Sequence, residues 1–409
     1  MQIGNENIEY LINGRAGLIS KLKEIKPISD LPFLNRFLSV IYYINDNKKF
    51  IISGSGFSLD KNEALIASVG EAIERYCAHI IDKDIRWASY EELQMEVSPI
   101  DLYSITRLTD EQYYKKYNHP PVSEKTTIGW SAGIDFHTGN TIYLPTEMIY
   151  LRNIQTPTIR DVISTGLACG PTERAAIESG LLECIERDSF MLFWLFLRAK
   201  YEIDLSKLEP THPISELYEL AQSYMLNIKV LDVTTDLNIP TIVTILQADG
   251  MPGFYMGCAS HIHYEQAIYK SLKEGLGGYS IYYESVHVHN KKGPNSSERI
   301  QTLDDHVLYY FVGNNDSILE GISYEGTVDA TQLFKAPQSS LESLSSIPIY
   351  YKNITSEDIL QVGVSVVRVV CPTLCYLPIG QPFLLCERIE KYKTIYKTNH
   401  INLEPHPFP

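Results

Sequence analysis

SGSGFSLDKNEALIASVGEAIERY (Ser53–Tyr76), STGLACGPTERAAIESGLLECIERD (Ser164–Asp188) and MGCASHIHYEQAIYKSLKEGLGGY (Met256–Tyr279) share one design, in which glycine and small residues lead into a helical pattern. Placed in register, Ala64, Ala176 and Ala267 coincide, as do Glu71, Glu183 and Glu274. That reads as a degenerate structural repeat inside one fold rather than a solenoid. The third copy lacks the second glutamate and the arginine. Around the repeats, alternating or β-branched runs at Ser39–Ile44, Thr241–Gln247 and Gly363–Val370 predict strands. Strands and long helices interleave, so the fold class is α/β (α+β), with non-local contacts that disfavour small independent domains. Asn290–Glu298 (NKKGPNSSE) is rich in turn formers and reads as a surface loop.

The chain has 409 residues, enough for a sizeable core. Lys and Arg total 35 against 50 Asp and Glu, a formal charge of −15. Surface-wide binding to nucleic acid or anionic membrane is therefore not expected. The longest uninterrupted apolar run, Phe190–Leu197, is far too short to span a bilayer. No secretory signal pattern opens the chain, and seven cysteines without paired regular spacing suit a reducing compartment, so a cytoplasmic location is expected. Cys371 and Cys375 in CPTLC read as small core residues, because a second pair suited to zinc is missing.

On a helical projection Ile66, Val69, Ile73, Cys77 and Ile80 form one apolar stripe of the first repeat helix, while Glu63, Ala67, Glu71, Glu74 and Ala78 share a separate flank. The second helix sets Ile177, Leu181, Cys184, Ile185 and Leu192 against Ala175, Ser179, Glu183 and Glu186. Glu71 to Arg75 and Glu183 to Arg187 are i,i+4 pairs, worth only about 0.2–0.5 kcal/mol each on a solvated surface. A like-charged pair on one face, Glu71 with Glu74 and Glu183 with Glu186, is mildly unfavourable and occurs twice. If the flanks oppose each other, four carboxylates converge and require cations or raised pKa values. Mg²⁺ meets that need, because it takes oxygen ligands and shares them with nucleotide phosphates. Glu71, Glu74, Glu183 and Glu186 are thus candidate metal and nucleotide ligands, and Arg187 or Arg15 in NGRAGLIS can neutralise phosphate.

These residues carry a resemblance. The chain resembles the YcaO-domain proteins, specifically the cyclodehydratases that make thiazole/oxazole-modified ribosomal peptides. The likeness runs through GEAIERY (Gly70–Tyr76), WSAG…LP (Trp130–Pro145), Ser164–Asp188, VLDVTTDLNIP (Val230–Pro240), LDDHVLYY (Leu303–Tyr310) and RVVCPTL (Arg368–Leu374). It implies mixed and antiparallel sheets packed with long helices around one nucleotide site. It implies a catalytic domain over residues 1–390 and a tail over residues 391–409. It implies ATP and Mg²⁺ held by Glu71, Glu74, Glu183 and Glu186, with Arg187 on the nucleotide. The activity implied is ATP-dependent conversion of Cys and/or Ser/Thr of a precursor peptide to thiazolines and oxazolines, by phosphorylation of the backbone amide oxygen.

PHPFP ends the chain, matching the Pro-x-Pro-x-Pro terminus of azoline-forming members through Pro405, Pro407 and Pro409. Prolines fix φ and keep the segment extended, so it can enter a pocket at low ordering cost. The resemblance places the tail near the active site, with the Pro409 carboxylate as a catalytic aid. There are departures. Ala67 stands where the family has Ser, with Ser68 one place round the helix as a substitute contact; Pro171 and Ala175 stand where the family has Asn and Glu, and Glu173 and Glu178 fall at neither place. Two alternatives follow: a family enzyme that uses another nucleophile, forming thioamides or amidines, and a non-catalytic scaffold subunit. The chain leaves no room for a peptide-clamp or ThiF/E1-like domain, so a separate leader-binding partner is expected. A flavin-dependent dehydrogenase and homodimerisation are further expectations.

Overall fold

The computed structural model describes residues 11–12, 17–26, 34–45, 48–105, 107–154 and 157–409. Three sheets organise the molecule. The first is an antiparallel meander of β1 (Lys21–Ile25), β2 (Asn35–Asn45) and β3 (Lys48–Ser58). The second runs β4 (Arg86–Ala88), β5 (Ile128–Asp135), β13 (Tyr350–Asn353), β14 (Ser365–Val370) and β7 (Leu167–Gly170), with β6 (Thr141–Pro145) paired to β5. The third is ordered β11 (Tyr255–Ser260), β10 (Thr241–Ala248), β9 (Leu226–Asp232), β8 (Tyr201–Asp204) and β12 (Thr327–Asp329), antiparallel except for β12 on β8. Mixed and antiparallel sheets packed with helices are thus what the chain builds; Ser39–Ile44 and Thr241–Gln247 lie within strands, and of Gly363–Val370 the strand takes Ser365–Val370.

Helices of two turns or more are α1 (Lys61–His79), α2 (Asp110–Tyr117), α3 (Glu173–Phe196), α4 (Pro213–Ser223), α5 (Tyr264–Tyr283), α6 (Leu303–Phe311) and α7 (Glu387–Tyr396). Edge strands β3, β7 and β11 belong to three different sheets, and each leads directly into a long helix, α1, α3 or α5. Asp60 and Thr172 cap the first two, accepting from the N–H groups of Glu63 and Ala175. These pairs of strand and helix are the three repeats. Close packing of helix on strand demands glycine: a Cβ at Gly54 would lie 2.2 Å from the Ser68 carbonyl oxygen, and one at Gly257 would lie 2.4 Å from the Gly275 nitrogen. Gly166 holds the same register, and its carbonyl would stand 2.6 Å from a Cβ at Gly180 on α3.

Apolar burial follows the predicted stripes but extends further. Val69, Ile73 and Cys77 of α1 join Trp130, Met148 and Tyr150 in one core; Phe190–Leu195 of α3 fill a second, with Phe408. All seven cysteines are buried, and none is in a disulfide among the described residues. Arg368, 1% exposed, donates to the carbonyls of Met148, Ile163 and Ser164 and so fixes the loop that enters β7. At the far end α7 runs across residues 390 and 391. Arg388 on α7 donates through Nε and Nη2 to the fully buried Asp188 of α3 and through Nη1 to Asp236, which binds the helix to the body. Among the described residues no helix is long and apolar enough to cross a membrane.

Candidate active site

The three strand–helix units close into a ring. Glu71 accepts from the Ser55 N–H (2.5 Å) on its own strand β3 and pairs with Arg75 at 2.5 Å. Glu74, one turn on, accepts instead from the Cys169 N–H (2.7 Å) on β7, the edge strand of the second unit. In the second unit Glu186 reaches the Ser260 N–H (3.1 Å) on β11, the edge strand of the third. In the third, the matching position is Gly277, where a Cβ would lie 2.2 Å from the Phe57 ring on β3. Cys169, Ser260 and Phe57 occupy one register position. Each helix therefore leans on the next unit's edge strand, and α5 returns to the first.

This closure brings the predicted carboxylates together and adds one. Burial raises the Glu74 pKa well above the usual range, although the Cys169 N–H opposes it, and Glu71 and Glu183 add to the rise. Glu186 is pushed up to about 8 by burial, against Arg187, with Glu274 and Glu183 alongside. Burial also raises Glu183 and Glu274. Glu274 was visible in the repeat register, but the isolated acid on α5 gave no sign of joining the site. Lys270 and Lys273, on the same helix, face Glu274. Lys270 is lowered by burial, with Glu274 opposing. Glu-x-x-Glu-Arg patterns drew the eye to acids; the lysines are recognisable only once α5 closes the ring.

Arg187 sits 3.5 Å from Glu183 and 3.4 Å from Glu186. Burial opposes its charge, yet Glu186, Glu183 and Glu274 together hold its pKa above the ordinary value. Its Nε and Nη1 nevertheless lack a hydrogen-bond acceptor among the described residues. A mostly buried guanidinium with unused donors is a receptor for a phosphate oxygen. No three carboxylate, imidazole or thiol groups among the described residues lie close enough to hold a metal by themselves. A deficit of that kind suits Mg²⁺, which completes its shell with phosphate oxygens and water. Acids whose pKa values burial has raised, beside an arginine with unused N–H donors, fit Mg²⁺ and a nucleotide phosphate together.

Not every candidate faces this ring. Ser68 is fully buried; its hydroxyl lies 2.9 Å from that of Ser39 on β2 and donates to the Leu65 carbonyl. Ser271 holds the same register on α5 and pairs likewise with Thr244, 2.8 Å away on β10. Ser68 thus makes a helix-to-sheet contact, because its place on the helix turns it toward the sheet. Arg15 lies outside the described residues. Glu173 and Glu178 are spent on Asn353 and Arg174, so neither replaces the family's missing acid. Cys169 contributes its backbone rather than its thiol, whose pKa burial and Glu74 push far up.

The tail runs back along α3 toward the ring. Asn402 donates to the Leu195 carbonyl (2.6 Å), Trp194 to that of Glu404 (2.9 Å) and Tyr310 to that of Pro405 (2.6 Å). Pro405 and Pro407 are buried and Pro409 is half-buried. The Phe408 ring packs 4.7 Å from Phe190, and its centre lies 4.3 Å from the Arg187 guanidinium. Phe408, between the last two prolines, is thereby brought beside the arginine that joins Glu183 to Glu186.

The YcaO cyclodehydratase family, described as ATP- and Mg²⁺-binding, matches residues 55–375, most of the chain. This chain belongs to the YcaO family, and ATP and Mg²⁺ are its cofactors. It is 26% identical over 352 residues to an uncharacterised protein of Methanothermobacter thermautotrophicus, covering 80% of this chain and 82% of that one. It is 25% identical over 215 residues to an uncharacterised protein in the tfuA 3′ region of Rhizobium leguminosarum bv. trifolii, covering 51% of this chain and 47% of that one. The fold is shared with a heterocyclase solved in complex with substrate and cofactor (TM-score 0.76, 17% identity, 98% of this chain and 57% of that one). It is shared also with YcaO from Methanopyrus kandleri bound with AMPPCP and Mg²⁺ (TM-score 0.62, 16% identity, 88% and 87%). The E. coli microcin synthetase McbBCD complex contains the same fold (TM-score 0.59, 16% identity, 87% and 87%). The chain thus spans about half the length of the Rhizobium relative and 57% of the heterocyclase chain.

Proposed function

We propose that this protein is an ATP-dependent cyclodehydratase that converts Cys and/or Ser/Thr residues of a ribosomally made peptide to thiazolines or oxazolines. The observation that carries this reading is the docked Pro-x-Pro-x-Pro tail, seated against the same Arg187 that links the two acids of α3. In the reaction proposed, a substrate thiol or hydroxyl attacks the preceding amide carbonyl, the resulting oxyanion takes the γ-phosphoryl of ATP, and phosphate then leaves as the C=N bond forms. Phosphorylation turns an oxygen that will not depart as hydroxide into a stable leaving anion. Mg²⁺, when bound, neutralises charge on the phosphates and orients them.

Glu71, Glu74, Glu183 and Glu186 are assigned as the residues that hold Mg²⁺. Arg187, with Lys270 and Lys273, is assigned to the phosphates, where cations already in place stabilise charge without reorganising. Pro409 supplies the terminal carboxylate and Pro405 and Pro407 keep its approach extended. The heterocyclase and McbBCD structures, respectively a complex with substrate and a complex of several proteins, support a peptide substrate and a separate leader-binding partner of the ThiF/E1-like kind. A flavin-dependent dehydrogenase acting on the azolines, and a homodimer, complete the proposal.

The test follows phosphate release and an 18 Da mass loss per ring on the precursor peptide with the reconstituted partner, using the full chain and a chain lacking its last five residues. Ring formation by the full chain and its loss on truncation is the expected result. Phosphate release without mass loss under every partner combination would sink the assignment.

A further inference from the structure

A tail whose last five residues include three prolines has few backbone donors of its own, and must be held by what surrounds it. The Phe408 N–H is spent on the Nδ1 of His406, at 3.3 Å. The tail's carbonyls are taken by side chains: Trp194 holds residue 404, Tyr310 residue 405 and His306 residue 406. His306, fully buried on α6, is the last of these anchors before Phe408 meets Arg187.

Both nitrogens of His306 are committed. Nδ1–H donates to the His406 carbonyl (2.7 Å), and Nε2 accepts from the Gly380 N–H (2.8 Å). The ring also lies on that of His406, 4.1 Å away and 12° from parallel. His406 in turn donates from Nε2 to the Pro378 carbonyl (2.9 Å). Each imidazole therefore has one nitrogen that must stay unprotonated to accept an N–H, and one tautomer is fixed on each. No other side chain can donate from one edge, accept at the other and present an aromatic face between them.

We infer that His306 is the positioning residue of the carboxyl-terminal tail, clamping His406 between α6 and the 378–380 loop so that Phe408 and Pro409 are directed onto Arg187. The inference rests on the proposed role of the tail only for its consequence in the reaction; the clamp itself stands apart from it. The surroundings reinforce neutrality. Burial lowers His306 to about 4, with Lys116 of α2 adding to the fall and Asp305 and Asp161 opposing it. Burial lowers His406 further, with His306 and Arg187 of α3 adding. A released tail frees His406 to titrate near the ordinary value of about 6.5. Docking is thus insensitive to this proton above that value and weakens as pH falls below it, since only the released form takes the proton readily.

The experiment places 4-fluorophenylalanine at Phe408 in the full chain and reads its ¹⁹F resonance, which reports docking without reference to turnover. His306→Phe keeps the stacked ring but loses both hydrogen bonds, and is expected to shift the resonance to the released position. Phosphate release from Mg-ATP should fall at least about tenfold with little change in the KM for ATP. His306→Asn restores a donor near Nδ1 and should recover part of the docked signal, which separates the clamp from general loss of structure. In the parent chain the docked fraction should decline as pH falls below about 6.5. A docked resonance in both variants overturns the inference. A released resonance with undiminished ring formation upholds the clamp and overturns the role of the tail in the reaction.

Discussion

Helices α1 and α3 each present Glu-x-x-Glu-Arg to the ring, whereas α5 in the same register presents Glu274, then Gly277 and Gly278. The contrast comes from closure of the ring. At the first two corners the second glutamate reaches a backbone N–H on the next unit's edge strand. At the third corner that edge strand is β3, and the Phe57 ring fills the space a side chain would need; a Cβ at Gly278 would likewise lie 2.0 Å from the Tyr255 hydroxyl. Lys270 and Lys273 supply positive charge at this corner instead. Three copies of one unit therefore make two acidic corners suited to a divalent cation and one basic, aromatic corner suited to what the cation carries.

The strongest break in that comparison is Glu183→Ala. Removing the acid central to both acidic corners should lower Mg-ATP turnover about 100-fold or more, measured as steady-state phosphate release. Turnover within a factor of a few of the parent would mean that the corners are structural. Next in size is Gly277→Ala, which forces a methyl group into the Phe57 ring and should cost about 1–3 kcal/mol by urea unfolding. Adding Phe57→Ala should return part of that loss, and a single variant as stable as the parent would refute closure by Phe57.

The smallest effect concerns pH. Glu186 has a folded pKa raised to about 8, so the folded state retains a proton that the unfolded chain releases near the usual carboxylate value. Without ligand, stability should therefore fall as pH rises from about 5 to about 8 and level off above. Saturating Mg-ATP should flatten this slope, since it favours the ionised acids. A melting temperature that does not fall with pH in the ligand-free protein would contradict the burial of surplus acid.

Local patterns made much of this legible. The strand-to-helix repeats, the acids Glu71, Glu74, Glu183 and Glu186, and Arg187 all announce themselves through spacing, because a helix of 3.6 residues per turn sorts its own faces. Ser68 shows the limit: adjacent to a vacant family position in sequence, it is turned toward Ser39 in space. Lys270 and Lys273 look like ordinary helix-surface charges until α5 returns to β3. What holds α7 to the body was hidden for a similar reason, since the partners of Arg388 lie at Asp188 and Asp236, far away along the chain.

What the sequence by itself determined is the composition of each unit: a glycine-bearing edge strand, a long helix, and acids placed on one flank, all governed by neighbours within a few residues. Which helix meets which strand was decided only by tertiary structure. Closing three separate sheets into a ring raised the pKa values of Glu74, Glu183, Glu186 and Glu274 by burial, left Arg187 with unused donors and carried Phe408, between the last two prolines, from the far end of the chain to the same arginine. Charge so closely gathered is a property of the assembled ring, because burial and convergence depend on contacts between segments hundreds of residues apart.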